Sequence, residues 1–411
     1  MKILLAPAHY LLDEIRGGEY GWAYNIVKFL SNYKVILYII CGANNSSLLD
    51  EKSNCIFFPL FKRGVLLSPI RRFIFTLEYF LVARKIIKKN HVDFIHHILP
   101  FGFNQTFNLL SILRYGNKPF IIGPVQAPQE YIEKDKRVYI EDNRGRKVVS
   151  MSIFRVNVEK ILYFFSAPIF KILFNYTVKR ADKIIAISKK AKDMLTSLVP
   201  ESKIKIIPQG VDLKLWNFYP FESKKSEVIN IVVAGYFVKR KAIDLVIKAM
   251  HEFVFFYKIS DVQLFILGDG PEKDKLLNLV QSLKLENKIN FEGFVNNTDV
   301  SSYYRTAHIF VNMSYSESWG QVYLEAMACG LPIVTTENDG SVEIIEDGKH
   351  GYLIPKGNYK ILAEKLKYLC GRRDLLSEMG RKARLEVEYK YDWETVIMPK
   401  YIELYKSLLS N

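Results

Sequence analysis

Apolar and polar positions follow two alternating rhythms along the chain. Short apolar runs of strand length, KILLAP (2–7), KVILYII (34–40), DFIHHI (93–98), FIIGPV (120–125) and KIIAIS (183–188), are separated by longer helical patterns. A second series runs through INIVVAGYF (229–237), VQLFILGDGP (262–271), KINFEGFV (288–295), AHIFVNM (307–313) and PIVTT (332–336), again with helices between. Near-continuous apolar strands alternating with helices predict parallel sheets covered on both faces. Between the two series, residues 208–227 break into turn-forming and charged positions, as an interdomain linker does. The expected fold is α/β, with two Rossmann-like domains facing a cleft. Their bounds are 1–207 and 208–390, and 391–411 is a C-terminal helix packing back on the first domain.

Within the second series, ESWGQVYLEAMACGLP (317–332) sets Glu317 and Glu325 eight positions apart. In one continuous helix they would stand about 12 Å apart along the axis and could not share a small ligand. Gly330 suits a left-handed residue after a last turn, and Pro332 cannot continue a helix, so the helix is expected from about Gly320 to Cys329. Glu317 then lies in the loop before the helix and Glu325 in an early turn. Both can face the space beyond its N-terminus, where open α/β sheets bind ligands and where anions are attracted. The same spacing also suits two acids that complement the helix dipole, and spacing does not choose between these readings.

Composition narrows the partners. The chain has 411 residues, 49% hydrophobic and 25% charged, which fits two globular domains. Its net charge of +15 calls for an anionic partner. No zinc finger, RNA-recognition signature or aromatic platform accompanies that charge, so nucleic acid is not expected. Cys41, Cys55, Cys329 and Cys370 are scattered without ligand spacing, so neither zinc nor a disulfide framework is expected. No charge-free apolar run reaches spanning length. ILYFFSAPIF (161–170), interrupted by Pro168 and flanked by Lys160 and Lys171, is expected to be a buried or interfacial helix. MKILLAPAHY reads as an opening strand rather than a signal peptide, which makes a cytoplasmic location the expectation.

Two segments offer phosphate chemistry. RGGEYGW (16–22) places Gly17 and Gly18 where backbone amides can approach a phosphate, although a tight turn would use them equally well. AGYFVKRKAIDL (234–245) brings Lys239, Arg240 and Lys241 to a helix start, as a second anion site or as a solvated charge run. Gly268, in GDGP (268–271), lies between an apolar strand and a helix, but no G-x-G-x-x-G completes a dinucleotide fingerprint. Of His96 and His97, one is expected to be structural. No G-x-S-x-G, H-E-x-x-H or P-loop occurs.

The second half resembles a known family. IVVAGYFVKRKAIDL, LFILGDGPEKDKL, INFEGFV and SESWGQVYLEAMACGLPIVTTENDGSVEIIEDGKHGYLI are similar to glycosyltransferase family 4, retaining nucleotide-sugar enzymes of the GT-B fold. The likeness is dense from about Pro208 to Pro355 and continues more thinly through RGG, ADKIIAISK (181–189) and PQGVD (208–212). It implies transfer of a sugar from a nucleotide-diphosphate sugar, a co-substrate rather than a cofactor, to a glycan or lipid-linked acceptor. By resemblance, Glu317 contacts hydroxyls of the donor sugar, and backbone amides near Trp319, Gly320 and Gln321 face the sugar and diphosphate. Glu325 accepts from the ribose, Lys241 neutralises the diphosphate, Gly17 and Gly18 close on it, and Phe294 and Val295 hold the nucleobase.

This chain departs from the family at two places. Tyr236 stands where the family has an arginine, which turns attention to Arg240 as a helper of Lys241. The family's N-domain histidine has no counterpart in IIGPVQAPQE (121–130), leaving Gln126 and Glu130 as candidates for that catalytic contact. No Asp-x-Asp lies on the catalytic segments, so metal-independent transfer is expected, with Lys241, the glycine-loop amides and the helix dipole stabilising the leaving diphosphate. Two alternatives remain open: a hydrolysing nucleotide-sugar 2-epimerase, and a non-catalytic nucleotide-sugar-binding subunit.

FKRGVLLSPIRRFIFTLEYFLVARKIIKKN (61–90) interleaves Lys62, Arg63, Arg71, Arg72, Arg84, Lys85, Lys88 and Lys89 with Phe73, Phe75, Tyr79 and Phe80. Apolar residues run nearly all round this helix, more than one core-facing stripe requires. A packed helix with a solvated basic face would explain part of the pattern; the alternative it raises is peripheral binding to an anionic membrane surface at the inner face of the cell membrane.

Overall fold

The computed structural model describes residues 1–12, 19–44, 52–60, 69–98, 101–102, 107–127, 140–141, 147–148, 153–223 and 227–409. The chain divides into two compact units. One comprises Met1–Pro128, Met151–Gln209 and Trp393–Asn411; the other comprises Gln129–Ser150 and Gly210–Asp392.

The elements of the first unit are β1 (Lys2–Leu12), α1 (Glu19–Leu30), β2 (Ile36–Asn44), β3 (Cys55–Pro59), α2 (Pro69–Lys89), β4 (Phe94–His97), β5 (Phe101–Gly102), α3 (Leu109–Ile112) and β6 (Phe120–Gln126). After the two-residue strands β7 (Ile140–Glu141) and β8 (Lys147–Val148), which pair antiparallel and belong to the second unit, come α4 (Ile153–Arg180), β9 (Lys183–Ala186), α5 (Lys189–Thr196) and β10 (Ile204–Ile206). The parallel sheet of the first unit has the order β10-β9-β6-β4-β1-β2-β3, with β5 on β6. Its inner strands are buried on both sides because each face buries helices: α1 on one, α2 and α4 on the other.

The second unit contains β11 (Ile229–Ala234), α6 (Ile243–His251), β12 (Val262–Leu267), α7 (Lys273–Ser282), β13 (Ile289–Gly293), α8 (Asn297–Thr306), β14 (Ile309–Asn312), α9 (Gln321–Ala328), β15 (Ile333–Thr336), α10 (Asp339–Ile344), β16 (Gly351–Ile354), α11 (Tyr359–Cys370) and α12 (Arg373–Lys390). Its sheet is wholly parallel in the order β13-β12-β11-β14-β15-β16. Numbered from its own first strand, that order is the doubly wound one in which the connection reverses direction between the first and fourth strands. Here those are β11 and β14, and ligands bind such sheets outside the carboxyl ends of the two strands at that switch. Residues 210–223 are an ordered part of this unit: Trp216 is buried, with its ring 5.5 Å from that of Tyr304. The last helix, α13 (Met398–Leu409), joins the core of the first unit through Tyr401, Leu404 and Tyr405.

Both histidines of β4 are structural. His96 Nε2 donates to the Gly123 carbonyl at 3.1 Å, which fixes the tautomer, so Nδ1 accepts from Tyr405 Oη at 2.8 Å. Burial holds His96 neutral, pushing its pKa down to about 3. His97 is also wholly buried, with Nδ1 2.9 Å from Asn108 Nδ2, and that amide additionally donates to the Ala6 carbonyl.

On helix α2 the apolar residues divide between a core face and a solvent face. Phe75, Tyr79, Ala83 and Ile86 recur at intervals of three and four and form one buried stripe. Among the described side chains of the helix, Phe73, Ile74, Leu77 and Leu81 are exposed. Phe75 and Tyr79 are therefore core residues, because helical spacing turns them onto the sheet. Lys62 and Arg63 lie outside the described residues, and Arg71 and Arg72 belong to the first turn of the helix.

Candidate functional site

Two loops meet at the switch point of the second unit. The first leaves β11 and runs through Gly235, Tyr236 and a single turn at Lys239–Lys241 into α6. The second leaves β14, carries Ser316, Glu317 and Trp319, and enters α9 at Gly320. They are tied by the Tyr315 amide, which donates to the Arg240 carbonyl at 2.9 Å. Ala242, between the turn and α6, has φ +47°, a strained conformation for a residue with a Cβ, and it follows Lys241 directly.

At this junction the side chains of three residues converge. Glu317 Oε1 accepts a hydrogen bond from Lys241 Nζ, and Glu317 Oε2 lies 3.3 Å from Arg240 Nη1. Arg240 Nη1 also donates to the Ser316 carbonyl at 2.7 Å. Side-chain exposure is 14% for Lys241, 19% for Arg240 and 8% for Glu317, so the cluster is largely out of water. Burial pushes the Glu317 carboxyl up, but the charges of Lys241 and then Arg240 outweigh it and hold the group below the usual carboxylate range.

Glu325 has a different environment. It occupies the second turn of α9 and is buried, and among the described residues no cation lies within ion-pair distance of it. Burial alone raises its carboxyl to about 7. Burial raises the Tyr304 phenol, and the nearby Glu325 charge adds to the rise.

The glycines around the junction serve close approach. Gly320, at φ +85°, caps α9, and a Cβ there would fall 2.4 Å from the ring of Tyr323. Gly268, at φ +139°, lies so near the first loop that a Cβ would sit 2.0 Å from the Gly235 carbonyl oxygen. Backbone bonds from Gly235 N to Leu267 O (3.0 Å) and from Gly268 N to Gly293 O (2.7 Å) lace together the ends of β11, β12 and β13. GDGP thus has a packing reason for its glycines that needs no dinucleotide. Beyond Gly293, Phe294 is exposed and Val295 half-buried. Tyr236 is 41% exposed.

Trp319 and Gln321 flank Gly320. Trp319 is buried with its ring edge-on to Tyr391 at 6.0 Å, and its Nε1 has no partner among the described residues. Gln321 Nε2 donates to the Gly210 carbonyl at 3.0 Å, which anchors the start of α9 and leaves its buried Oε1 without a partner among the described residues. Gln126 ends β6 in the other unit and is half-buried. Gly17, Gly18 and Glu130 lie outside the described residues.

Sequence reasoning missed the residues behind the acid loop. The Gly340 amide donates to the Glu317 carbonyl at 2.9 Å, and a Cβ on Gly340 would lie 2.2 Å from the Trp319 carbonyl oxygen. Asn338 caps α10 through the Ser341 amide and donates to Tyr323 Oη at 3.2 Å. The signal was the N-cap pattern Asn-x-x-Ser inside ENDGSVEII (337–345), which marks a helix start but not what the start supports.

The model for glycosyl transferases group 1 matches residues 217–386, and that for glycosyltransferase family 4 matches residues 157–215. Alpha-monoglucosyldiacylglycerol synthase of Acholeplasma laidlawii is 31% identical over 226 residues; the match takes in 52% of this chain and 56% of that enzyme's length. Sucrose-phosphate synthase from Thermosynechococcus elongatus superposes with a TM-score of 0.73 at 19% identity, covering 100% of this chain and 99% of that one. Anabaena HepE, solved with UDP and glucose, superposes with a TM-score of 0.65 at 17% identity, covering 98% and 99%. At those identities the structural likeness establishes the fold, two Rossmann-like units of the GT-B type. With both family models matched in tandem and the doubly wound sheets that carry them described, the chain belongs to the group 1 glycosyltransferases of family 4.

Proposed function

We propose that this chain transfers a sugar from a nucleotide-diphosphate sugar to a glycan or lipid-linked acceptor, with retention of anomeric configuration and without a metal. The observation that carries the reading is the buried cluster of Lys241, Arg240 and Glu317 at the switch point of the second unit. As the anomeric bond breaks, the leaving diphosphate gains negative charge while the sugar becomes oxocarbenium-like. A cation fixed beside that oxygen before the reaction stabilises the charge without reorganising, as do the first amides of α9.

Each residue then has a role. Lys241 neutralises the diphosphate and Arg240 braces the acid loop. Glu317 accepts from hydroxyls of the donor sugar, and Glu325 accepts from the ribose. The UDP and glucose in the HepE structure and the glycolipid product named for the Acholeplasma relative support a nucleotide-sugar donor and a lipid acceptor.

The membrane part of the proposal rests on the first unit. Exposed Phe73, Ile74, Leu77 and Leu81 of α2 are joined by Ile169, Ile172 and Tyr176 of α4. The two helices are linked by a chain of rings, Phe73 to Phe107 at 6.2 Å and Phe107 to Phe170 at 5.6 Å. Exposed Lys85, Lys88, Lys89, Lys171, Lys179 and Arg180 lie on the same helices. Apolar area interleaved with cations suits an anionic bilayer at the cytoplasmic face. Among the described residues no helix is long and apolar enough to cross a membrane.

The test is turnover of UDP-, GDP- and ADP-sugars with soluble and lipid-linked acceptors, in wild type and Lys241→Ala. Loss of one preorganised charge contact is expected to cost about 2 to 4 kcal/mol in the transition state. Sugar product with no acceptor adduct would favour the epimerase, and donor binding with no turnover a binding subunit. A loss under tenfold in Lys241→Ala would place the cation elsewhere.

A further inference from the structure

The three-residue cluster is unequal in a way that the proposed donor chemistry does not require. Arg240 is committed to its own surroundings: its Nη1 serves both the Ser316 carbonyl and Glu317 Oε2, and its carbonyl accepts from the Tyr315 amide. Lys241, on a flexible stem, has Glu317 as its ion-pair partner through one carboxylate oxygen. A desolvated ammonium needs a counter-charge, and Glu317 supplies it. Around the same loop, Ser316 Oγ and Trp319 Nε1 are buried and have no partner among the described residues. These are the polar atoms expected where a ligand completes the hydrogen bonding.

We propose that Glu317 is the resident counter-ion of Lys241, that the diphosphate of an incoming donor displaces its carboxylate from that lysine, and that the carboxylate's return after transfer helps expel the nucleoside diphosphate. This deepens the nucleotide-sugar reading and rests on it. Arg240 is then a positioning residue: it keeps the Glu317 loop in place through the Ser316 carbonyl while Lys241 changes partners. The exchange favours the right ligand, since a nucleotide sugar brings hydroxyls that satisfy the released carboxylate. A nucleoside diphosphate brings no donor-sugar hydroxyl and leaves the buried carboxylate with Arg240 alone. The acid therefore discriminates against product.

The experiment measures binding of inorganic pyrophosphate and of nucleoside diphosphates by calorimetry, with nucleotide-sugar turnover read separately. Glu317→Gln is expected to bind pyrophosphate about tenfold or more tightly than wild type, within the range of ordinary coupling between two ligands of one site. The gain should vanish in the Lys241→Ala background, and nucleoside diphosphate should tighten more than its sugar conjugate, seen as stronger product inhibition. Arg240→Gln should lower kcat more than it changes pyrophosphate affinity, a split that loss of folding would not produce. Unchanged or weaker pyrophosphate binding in Glu317→Gln, or a gain that survives removal of Lys241, overturns the proposal. If the Gln variant does not fold, Glu317→Asp takes its place, since its shorter reach should loosen the lysine and give a smaller gain in the same direction. Failure of the nucleotide-sugar reading shows in the other arm, as absence of turnover in wild type with every donor, whatever the pyrophosphate arm reports.

Discussion

Gly340→Ala separates what local propensity foretells from what packing imposes. Gly340 is the second residue of α10 and its φ lies outside the left-handed region, so helix propensity alone would make alanine stabilising by at most about 1 kcal/mol. The structure reverses the sign. A Cβ at this position would stand 2.2 Å from the Trp319 carbonyl oxygen and 2.5 Å from its carbon, both backbone atoms. Relief needs the loop or the helix to shift by about 1 Å, which overpacking data put at about 1 to 3 kcal/mol. The shift also breaks the Gly340 N to Glu317 O bond of 2.9 Å, worth about 1 kcal/mol net. Together these outweigh the propensity gain and leave a net loss of about 1 to 3 kcal/mol. In a domain of this size that lowers Tm by roughly 2 to 10 °C. Because the moving atoms carry Glu317, turnover should fall by more than tenfold at temperatures where the variant is still folded. Thermal unfolding and steady-state kinetics on the same preparation decide it. An unchanged or raised Tm with unchanged kcat would refute the claim that this glycine holds the acid loop by close contact.

Three further outcomes are expected. Glu325 has a folded pKa of about 7, above its unfolded value, so its burial costs nothing below about pH 4 and about 3 kcal/mol above pH 7. Glu325→Gln should therefore raise unliganded stability at pH 8 and have little effect at pH 5, and a pH-independent difference in denaturant midpoint would contradict this. His96 has a folded pKa of about 3, so between pH 6.5 and 3 the unfolded chain binds the extra proton and stability falls on acidification, by about 2 kcal/mol at pH 5. Tyr405→Phe, which strips the donor from His96 Nδ1, should cost about 1 to 3 kcal/mol at pH 7, and equal stability of the variant would show that the contact is dispensable. Leu77→Ser combined with Leu81→Ser and Ile172→Ser should leave Tm nearly unchanged, since all three residues are exposed, while weakening co-sedimentation with anionic vesicles. Undiminished co-sedimentation would remove this face from the membrane proposal.

Local chemistry made much of the fold legible. Strands such as FIIGPV and PIVTT are buried on both faces, so their sequence carries no alternation, and runs of that kind mean parallel strands under helices. The helix after Glu317 could be bounded because Gly320, Gly330 and Pro332 act on their own neighbours: its observed span is Gln321–Ala328, within a residue or so of Gly320–Cys329. Steric rules of φ and ψ operate within a few residues and need no distant partner.

What sequence could not supply was the order of strands and the facing of side chains. Lys241 and Glu317 are 76 positions apart, and each alone reads as a solvated charge or a dipole-complementing acid. They meet because β11 and β14 lie side by side at the reversal of the sheet, an adjacency set by the packing of the whole sheet against its helices. The same reason separates Glu325, with its pKa pushed up by burial, from Glu317, held down by two cations, although one short segment carries both. On α2, composition read as apolar all round, but only docking on the sheet decided that Phe75 and Tyr79 turn inward while Phe73 and Leu81 remain in solvent. Burial, desolvation and ion pairing are properties of neighbours in space, and a one-dimensional pattern records only neighbours along the chain.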